Sequence, residues 1–219
     1  MEFKIENTEV YGLSKSIIAS GNAMRTEMDY NMSKAFEGKE IMTDEEWRDY
    51  YSKQYKRACN LGNTKCGEGH DNFLNGIIVQ FDIYAPLYMW KQIQRYHWMD
   101  FISSQSTMHR LTKFNIKEQC VSDVDEVILN RYQELLDDYN DSKGMTISVD
   151  EDKKKWRTLV ASLPCGFVLG ATMTTNYRQL KTIYNQRKHH KLKEWKEFCD
   201  WCENLPYFKD LCLGGRSDD

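Results

Sequence analysis

The sequence predicts a mostly helical α+β domain with few strands, and three observations lead to this fold class. Long segments carry apolar residues at the spacing of buried helices. Only two short segments have the alternation or the β-branched content of strands. The chain has 219 residues, of which 41% are hydrophobic, enough for one sizeable core but too few for two comfortable domains. We therefore expect a single domain over residues 1–210 and a mobile tail over 211–219.

The first half of the chain contains both predicted strands. Residues 1–11 alternate between apolar and polar side chains, and residues 77–86 are β-branched and aromatic and end at a proline. Helices are expected over 13–28, with a break at a Gly-Asn pair, over 43–62 and over 87–103. The helix over 43–62 begins with a capping box, in which Thr43 is followed three residues later by Glu46.

The second half of the chain is predicted to be helical. Helices are expected over 124–143 and 150–164, and one or two long helices within 170–206. The segment SQSTMHRLTKF, residues 104–114, is polar and irregular and predicts a loop that returns to the core. Cys199 and Cys202 form a CxxC motif inside a helical pattern. We interpret them as two thiols buried by one helix rather than as a zinc or redox site, and no metal site is expected.

Composition and charge argue against several classes of protein. The net charge is −3, so no overall positive field attracts nucleic acid. A basic run from Arg178 to Lys193 would either hold a phosphate or form a solvated helix face. The start MEFKIENTEV lacks a signal-peptide pattern, and no stretch approaches the apolar length of a membrane span. With seven irregularly spaced cysteines, we expect a cytoplasmic protein with reduced thiols and no membrane partner.

The segment APLYMWKQIQRYHW, residues 85–98, joins a strand that ends in Ala-Pro to an aromatic-rich helix. This arrangement resembles the flavin-dependent thymidylate synthases. Gln92 and Arg95 fall on that family's Gln and on the first Arg of its Arg-His-Arg motif. Tyr96 replaces the His of the motif, and His97 replaces its second Arg.

A second segment, LPCGFVLGATMTTNYRQLKTIYNQR over residues 163–187, resembles the same family without a gap. Pro164 falls on the family's Leu-Pro, Asn176 begins its Asn-x-Arg-x-Leu run, and Arg187 falls on an Arg near the end of the same helix. The weaker match GHDNF, which contains His70, resembles the His-rich segment before the family's strand.

The resemblance covers roughly residues 65–200, apart from an acidic helical insertion at about 120–155. Its main departure lies in SQSTMHR, which is similar to the family's Ser-Gln-x-Ser-x-Arg variant but begins two residues late. His109 stands in place of the final Arg of that variant, and Arg110 follows it. The resemblance implies a small antiparallel or mixed sheet within the predicted fold.

The function implied by the resemblance is the conversion of dUMP to dTMP, or a related one-carbon modification at C5 of a pyrimidine nucleotide. FAD, NADPH and methylenetetrahydrofolate are the implied cofactors, and a homotetramer is the implied assembly. The implied substrate-binding residues are Gln92, Arg95, Ser104, Ser106, Thr107, His109 and Arg187. The implied cofactor-binding residues are His70, Arg95, Tyr96, His97 and Asn176. Arg187 and Gln105 are the implied catalytic residues.

The departures keep a second hypothesis open. Tyr96 and His97 do not supply two fixed positive charges, which favours a non-catalytic nucleotide-binding or assembly protein that has lost the flavin. The drift of the motifs and the small size suggest a phage-encoded protein that acts in the host cytoplasm. A group of large side chains near the first motif is expected to form a core stripe, with a flavin wall as the alternative. Its members are Met89, Trp90, Trp98 and Met99.

Overall fold

The computed structural model describes residues 1–26, 44–143 and 148–215. Its strands are β1 (Lys4–Tyr11), β2 (Ile78–Pro86), β3 (Asp100–Ser104) and β4 (Val168–Asn176). They form one sheet in the order β1-β2-β4-β3. Tyr177 N donates to Ile77 O, and Leu87 N donates to Phe167 O. Each end of β2 therefore meets the opposite end of β4, and the two strands run antiparallel.

The described residues also form α-helices, which are numbered here in chain order. They are α1 (Leu13–Ala19), α2 (Asp44–Gly62), α3 (Leu87–Ile93), α4 (Thr107–Arg110), α5 (Ile116–Gln119), α6 (Glu126–Ser142), α7 (Val149–Ser162), α8 (Tyr177–Arg187) and α9 (Lys193–Glu203). A π-helix spans Lys209–Leu213. The α+β prediction, mostly helical with a small sheet, is confirmed. No helix in the described ranges is long and apolar enough to cross a membrane.

The chain divides into two compact units, each described here by itself. The first unit comprises Met1–Glu6, Asp82–Tyr96 and Phe101–Met173. Its core packs α6 and α7 against the start of β4. The buried members of this core are Leu111, Ile116, Cys120, Tyr132, Leu136, Tyr139, Leu159 and Phe167. The Tyr132 hydroxyl donates to Leu159 O at 3.1 Å, so the one polar atom of that side chain is satisfied inside the core.

The second unit comprises Asn7–Phe81, His97–Asp100 and Thr174–Asp219. Aromatic rings dominate its core. The Trp201 ring lies 4.6 Å from Phe81 and 5.2 Å from Phe198, measured between centroids. Tyr177 packs edge-on against Phe208 at 5.2 Å. These spacings are those of favourable tilted and edge-to-face pairs.

Several predicted elements are confirmed. The two strands expected over 1–11 and 77–86 are β1 and β2, and the helices expected over 124–143 and 150–164 are α6 and α7. The predicted break at the Gly-Asn pair is also confirmed, because α1 ends at Ala19 and a short 3-10 turn follows at Asn22–Met24. Thr43 and the side chain of Glu46, which form the predicted capping box, lie outside the described residues.

Two predictions of helix were wrong. The helix expected over 87–103 ends at Ile93, and β3 occupies the end of that range. The region 170–206 contains α8 and α9 as expected, but it is preceded by β4, whose threonine-rich sequence VLGATMTTN was not predicted as a strand. Threonine and valine are β-branched and suit a strand. The burial along β4 indeed alternates over residues 171–175.

Smaller corrections concern the loop and the tail. The segment 104–114 contains α4 and a 3-10 turn at Leu111–Lys113 instead of an irregular loop alone. Leu211 and Cys212 are buried in the π-helix, so the ordered chain extends past the predicted boundary at residue 210, and residues 216–219 lie outside the described residues. The insertion at about 120–155 and the single-domain boundary stay predictions.

Candidate functional site

The loop that follows β3 in the first unit is built around a helix cap. Ser106 precedes α4, and its Oγ accepts a hydrogen bond from His109 N at 3.3 Å. A serine at this position satisfies one of the amide groups that the first turn of a helix leaves unpaired. The sequence SQSTMHR therefore folds locally into a turn that starts a short helix, with Thr107 as the first residue of α4.

Gln105 fixes this loop to β4. Gln105 N donates to Gly170 O at 2.9 Å, and Gly170 N donates to Gln105 Oε1 at 2.8 Å. In the second hydrogen bond, the Gln105 side chain accepts from a β4 amide group in the place of a backbone carbonyl of a neighbouring strand. Gly170 is needed here because a Cβ at this position would lie 2.7 Å from Cε1 of Tyr84. The loop is thus held by two hydrogen bonds and by a close approach that only glycine allows.

A surface pocket of about 480 Å³ lies over the loop. It is lined by Ser104, Gln105, Ser106, His109, Arg110, Lys113 and Phe114. Hydroxyl, amide and cationic groups surround it, and no carboxylate is among the described lining residues. Phosphate oxygens accept hydrogen bonds from groups of these kinds. The arrangement can therefore hold an anion, with the Phe114 ring supplying an apolar surface.

A second pocket of about 300 Å³ shares Ser104 and Gln105 with the first. Its other lining residues are Asp82, Tyr84, Ser103, Gly170, Ala171 and Thr172. The Thr172 hydroxyl donates to Asp82 Oδ1 at 2.6 Å, which orients one carboxylate oxygen. This pocket offers both donors and acceptors, so its chemistry suits a neutral polar group better than a second anion.

The structure brings together four of the implied residues of the first unit: Ser104, Gln105, Ser106 and His109. Thr107 lies in the same loop but does not line the pocket, and the other three lie elsewhere in that unit. Gln92 is half-buried on α3, whereas Arg95 and Tyr96 follow the end of that helix, Arg95 exposed and Tyr96 half-buried. Neither of the two described pockets includes them or Thr107. The helical placement expected for Arg95 and Tyr96 was therefore wrong.

Asn176 and Arg187 stand at the two ends of α8 in the second unit. The Asn176 side chain caps the helix by accepting from Gln179 N at 2.9 Å. Its amide oxygen is thus already used by the fold, and the residue is only 8% exposed. Arg187 is half-buried, with Cζ 4.6 Å from the centroid of the Trp195 ring, within the range of a cation–π contact.

Burial, and after it the positive charge of Arg187, lowers the pKa of His190 below its ordinary value. A neutral imidazole is consistent with its Nδ1, which accepts from Leu192 N at 3.2 Å. His97 and His70, both implied cofactor contacts, are exposed in the second unit. The structure leaves His70 on the surface and buries its neighbour Asp71.

The buried cluster around Asp71 was missed in the sequence. Asp71 is fully buried, with its Oδ2 3.0 Å from Lys181 Nζ and its Oδ1 3.1 Å from Arg178 Nε. Lys181 also donates to Gly62 O and Thr64 O, at 2.7 and 2.6 Å. Arg178 and Lys181, the first members of the basic run, therefore face an internal carboxylate and are not fully solvated, and the phosphate alternative stays a prediction for the rest of the run.

Arg110, Lys113 and Gly170 were also missed as parts of the site. The signal for the two cations was their three-residue spacing after the SQST segment, which puts them on one side of a helical turn. The expected burial of both CxxC thiols by one helix is confirmed, since Cys199 and Cys202 are both buried on α9. Burial raises the pKa of the Cys199 thiol to about 11 and that of Cys202 well above its ordinary value.

Comparison with known proteins places the fold. No protein-family model matches the chain, and no curated protein matches it. Solved structures do match. The chain has the fold of the flavin-dependent thymidylate synthases, as the sequence resemblance implied.

Solved structures of two enzymes, a thymidylate synthase and a nucleotide methylase, are similar to this chain over nearly its whole length. Flavin-dependent thymidylate synthase from Helicobacter pylori, complexed with FAD and dUMP, superposes with a TM-score of 0.60 at 17% identity. The match covers 98% of this chain and 99% of that one. A UMP/dUMP methylase from Streptomyces cacaoi, bound with 5-Br dUMP, superposes with a TM-score of 0.61 at 11% identity, over 97% and 95% of the two chains. Identities this low establish a common fold.

Proposed function

We propose that the protein binds a pyrimidine nucleotide and modifies C5 of its base, by converting dUMP to dTMP or by adding a related one-carbon group. The observation that supports this most strongly is the pocket over the loop after β3. It combines two serine hydroxyls with Arg110, Lys113 and His109 and has no described carboxylate. The solved proteins with the same fold bind dUMP or 5-Br dUMP, which makes a nucleotide phosphate the natural anion for this pocket.

The residues of the pocket would divide the work of binding. Arg110 and Lys113 would neutralise the phosphate, and the hydroxyls of Ser104 and Ser106 would donate to its oxygens. Gln105 Oε1 is engaged with Gly170 N, so its amide N–H groups are what it can offer to the nucleotide. We assign Gln105 an orienting role for this reason. His109 would add charge when protonated, where the family has a permanently charged Arg.

Arg187 is proposed as the catalytic cation. A guanidinium placed at a pyrimidine carbonyl would stabilise the negative charge that develops on the ring when C5 reacts. The Trp195 ring packs against the Arg187 guanidinium, and this contact holds the side chain at the end of α8. Gln92, Arg95 and Thr107 are proposed as further contacts of the nucleotide, on the basis of the sequence resemblance.

The residues present would supply contacts for a flavin. FAD needs a flat apolar surface for its ring system, and Trp98 is 71% exposed in the second unit. His97, exposed beside it in the sequence, would hydrogen-bond the cofactor, and Asn176 retains only its amide N–H groups for this purpose. Tyr96 and His70 are the remaining proposed contacts. When bound, FAD would supply the hydride, NADPH its electrons, and methylenetetrahydrofolate the carbon unit. A homotetramer is part of the same proposal.

A second candidate function is a nucleotide-binding or assembly protein that has lost the flavin. Two motif positions that carry a fixed charge in the family hold His97 and His109 in this chain, and Tyr96 replaces the motif His. In addition, the side-chain oxygens of Gln105 and Asn176 are both occupied by backbone amides. These features are compatible with a chain whose loop still holds a phosphate without any redox chemistry.

The experiment that tests the proposal begins with the absorbance spectrum of the purified protein. FAD and then dUMP are added, and the mixture is supplied with NADPH and methylenetetrahydrofolate. The proposed enzyme gives flavin bands and a nucleotide product heavier by one methylene unit in mass spectrometry. A protein that does not bind FAD but has a higher melting temperature in the presence of dUMP is the non-catalytic binder. No flavin, no shift in melting temperature and no product would reject both candidates.

A further inference from the structure

Trp98 adopts a backbone conformation that a bulky residue rarely takes. Its φ is +59°, in the left-handed region where a Cβ crowds the backbone and where glycine or asparagine is usual. Its side chain is nevertheless 71% exposed, so no burial of the indole offsets this strain. Strained backbone of this kind is found mostly at functional sites. Because Trp98 is also exposed and follows a motif of proposed function, we consider a role in ligand binding.

Buried neighbours hold the Trp98 backbone in this conformation. Thr175, which is 4% exposed, donates its hydroxyl to Trp98 O at 2.6 Å. The next residue, Met99, is 4% exposed and anchors the chain in the core. With the carbonyl fixed on one side and Met99 on the other, the indole is directed away from the protein. The expected core stripe is therefore correct for Met89, Trp90 and Met99 and wrong for Trp98.

Tyr207 is a second aromatic residue with a positive φ, and it provides a comparison with Trp98. It also has a positive φ, +57°, and is 49% exposed. Its ring, however, packs edge-on against Tyr55 at 5.3 Å. Within the described part of the chain the Trp98 indole makes no such ring contact and no hydrogen bond. The same conformation thus has an internal partner at Tyr207 and none at Trp98.

We propose that Trp98 is a stacking platform for the planar heteroaromatic ring of a bound flavin or nucleotide. This inference rests on the proposed function and deepens it, because it assigns the strained backbone of Trp98 a role in ligand binding. An indole held by its backbone loses little freedom when a flat ring settles on it. Stacking of this kind tolerates different rings, because every base and flavin has a π-face. The strain at Trp98 would then serve to present the ring before the ligand arrives.

Trp98→Gly separates this role from a structural one. Glycine accepts a positive φ without strain, so the variant is expected to melt at or above the temperature of the wild type. It should nonetheless bind the stacked ligand at least tenfold more weakly. Trp98→Phe, which keeps a flat ring, should recover binding to within about threefold of wild type. Tyr207→Gly is the matched control, since it loses an internal ring contact and should leave ligand binding unchanged.

Binding is measured by titrating full-length protein separately with FAD, through quenching of flavin fluorescence, and with dUMP, by calorimetry. Loss of FAD affinity alone in Trp98→Gly identifies the flavin as the stacked ring, and loss of dUMP affinity alone identifies the nucleotide. Unchanged affinity for both, while the wild type binds them, overturns the role of Trp98 but leaves the proposed function intact. A wild type that binds neither ligand overturns both. Unchanged affinity together with a changed oligomeric state would show that Trp98 contacts another subunit instead.

Discussion

Lys181→Met tests how far the second unit depends on one buried cation. The Lys181 side chain is 4% exposed and its partner carboxylate, on Asp71, is fully buried. Three hydrogen bonds hold its ammonium group, one to Asp71 and two to backbone carbonyls of residues 62 and 64. Methionine keeps the apolar stem of the side chain but removes all three hydrogen bonds. The Asp71 carboxylate then keeps only one of its two cationic partners, Arg178.

The magnitude follows from this geometry. Removing one partner of a buried ion pair costs about 3–5 kcal/mol, because the other charge stays in a low-dielectric environment. Arg178 remains 3.1 Å from the second carboxylate oxygen of Asp71, so we expect the lower end of the range, about 3 kcal/mol. For a chain of this size, each kcal/mol lowers the melting temperature by about 2–4 °C. The expected fall is therefore about 6–12 °C.

Circular dichroism during thermal and urea denaturation measures the effect. Lys188→Met, an exposed lysine just past the end of α8, is the matched control and should change the free energy of unfolding by less than about 0.5 kcal/mol. The double variant Asp71→Asn/Lys181→Met should lose less than the sum of the two single variants, because the two groups interact directly. A Lys181→Met protein that melts within about 2 °C of wild type would show that the buried Lys181–Asp71 pair contributes little to stability.

Three further predictions concern the loop, the thiols and pH. Gln105→Leu should lower the free energy of unfolding by about 1–3 kcal/mol, because Gly170 N loses its acceptor. Gln105→Glu should keep that hydrogen bond but weaken dUMP binding in calorimetry through its negative charge. Equal stability of both variants would contradict a stabilising role for the hydrogen bond between Gly170 N and the Gln105 side chain. A thiol reagent at pH 8 should modify the exposed Cys66 and Cys165 quickly and the half-buried Cys59 more slowly, because burial raises the pKa of the Cys59 thiol. The buried Cys120, Cys199, Cys202 and Cys212 should react only after denaturation, and rapid reaction of any of these four in native protein would be inconsistent with the core described. The lowered pKa of His190 means that the unfolded chain takes up a proton at higher pH than the folded chain, so stability should fall as the pH drops below about 6.5. His190→Asn should flatten this pH dependence in denaturation measured between pH 7 and 5, and an unchanged slope would exclude His190 as its source.

The elements that the sequence predicted well are those whose side chains alone determine them. The helices α6 and α7 have long amphipathic patterns, and each starts at a residue that caps it through its side chain, Asp125 and Ser148. The strand β2 is β-branched, aromatic and closed by Pro86. In each case local preference and burial point to the same structure, which is the condition under which sequence patterns are reliable.

Predictions failed where a long-range contact decides the conformation. The helix α3 ends early, and the turn after it contains Trp98, whose positive φ is held by Thr175, a residue 77 positions away. No pattern within the segment contains that information. Asp71 is similar, since the cations that permit its burial lie on α8, more than one hundred residues later. The sequence therefore indicated His70, which resembles a family residue, and not the aspartate beside it.

The candidate site was predicted in part for the same reason. The segment SQSTMHR was identified by resemblance, and the structure gathers Ser104, Gln105, Ser106 and His109 around one pocket. The role of Gln105 was not predictable, because it depends on Gly170 in a strand that the sequence did not indicate. The three-residue spacing of Arg110 and Lys113 was a signal in the sequence, but the turn after α4 is what places Lys113 at the same pocket as the serines.

The most direct test of the account is a calorimetric titration of dUMP into the wild type and two lysine variants. Lys113 lines the pocket, whereas Lys117 is an exposed lysine four residues later on α5 and outside it. We expect saturable binding by the wild type, binding about tenfold weaker in Lys113→Gln, and unchanged binding in Lys117→Gln. No binding by the wild type, or an equal loss in both variants, would contradict a nucleotide phosphate site over this loop.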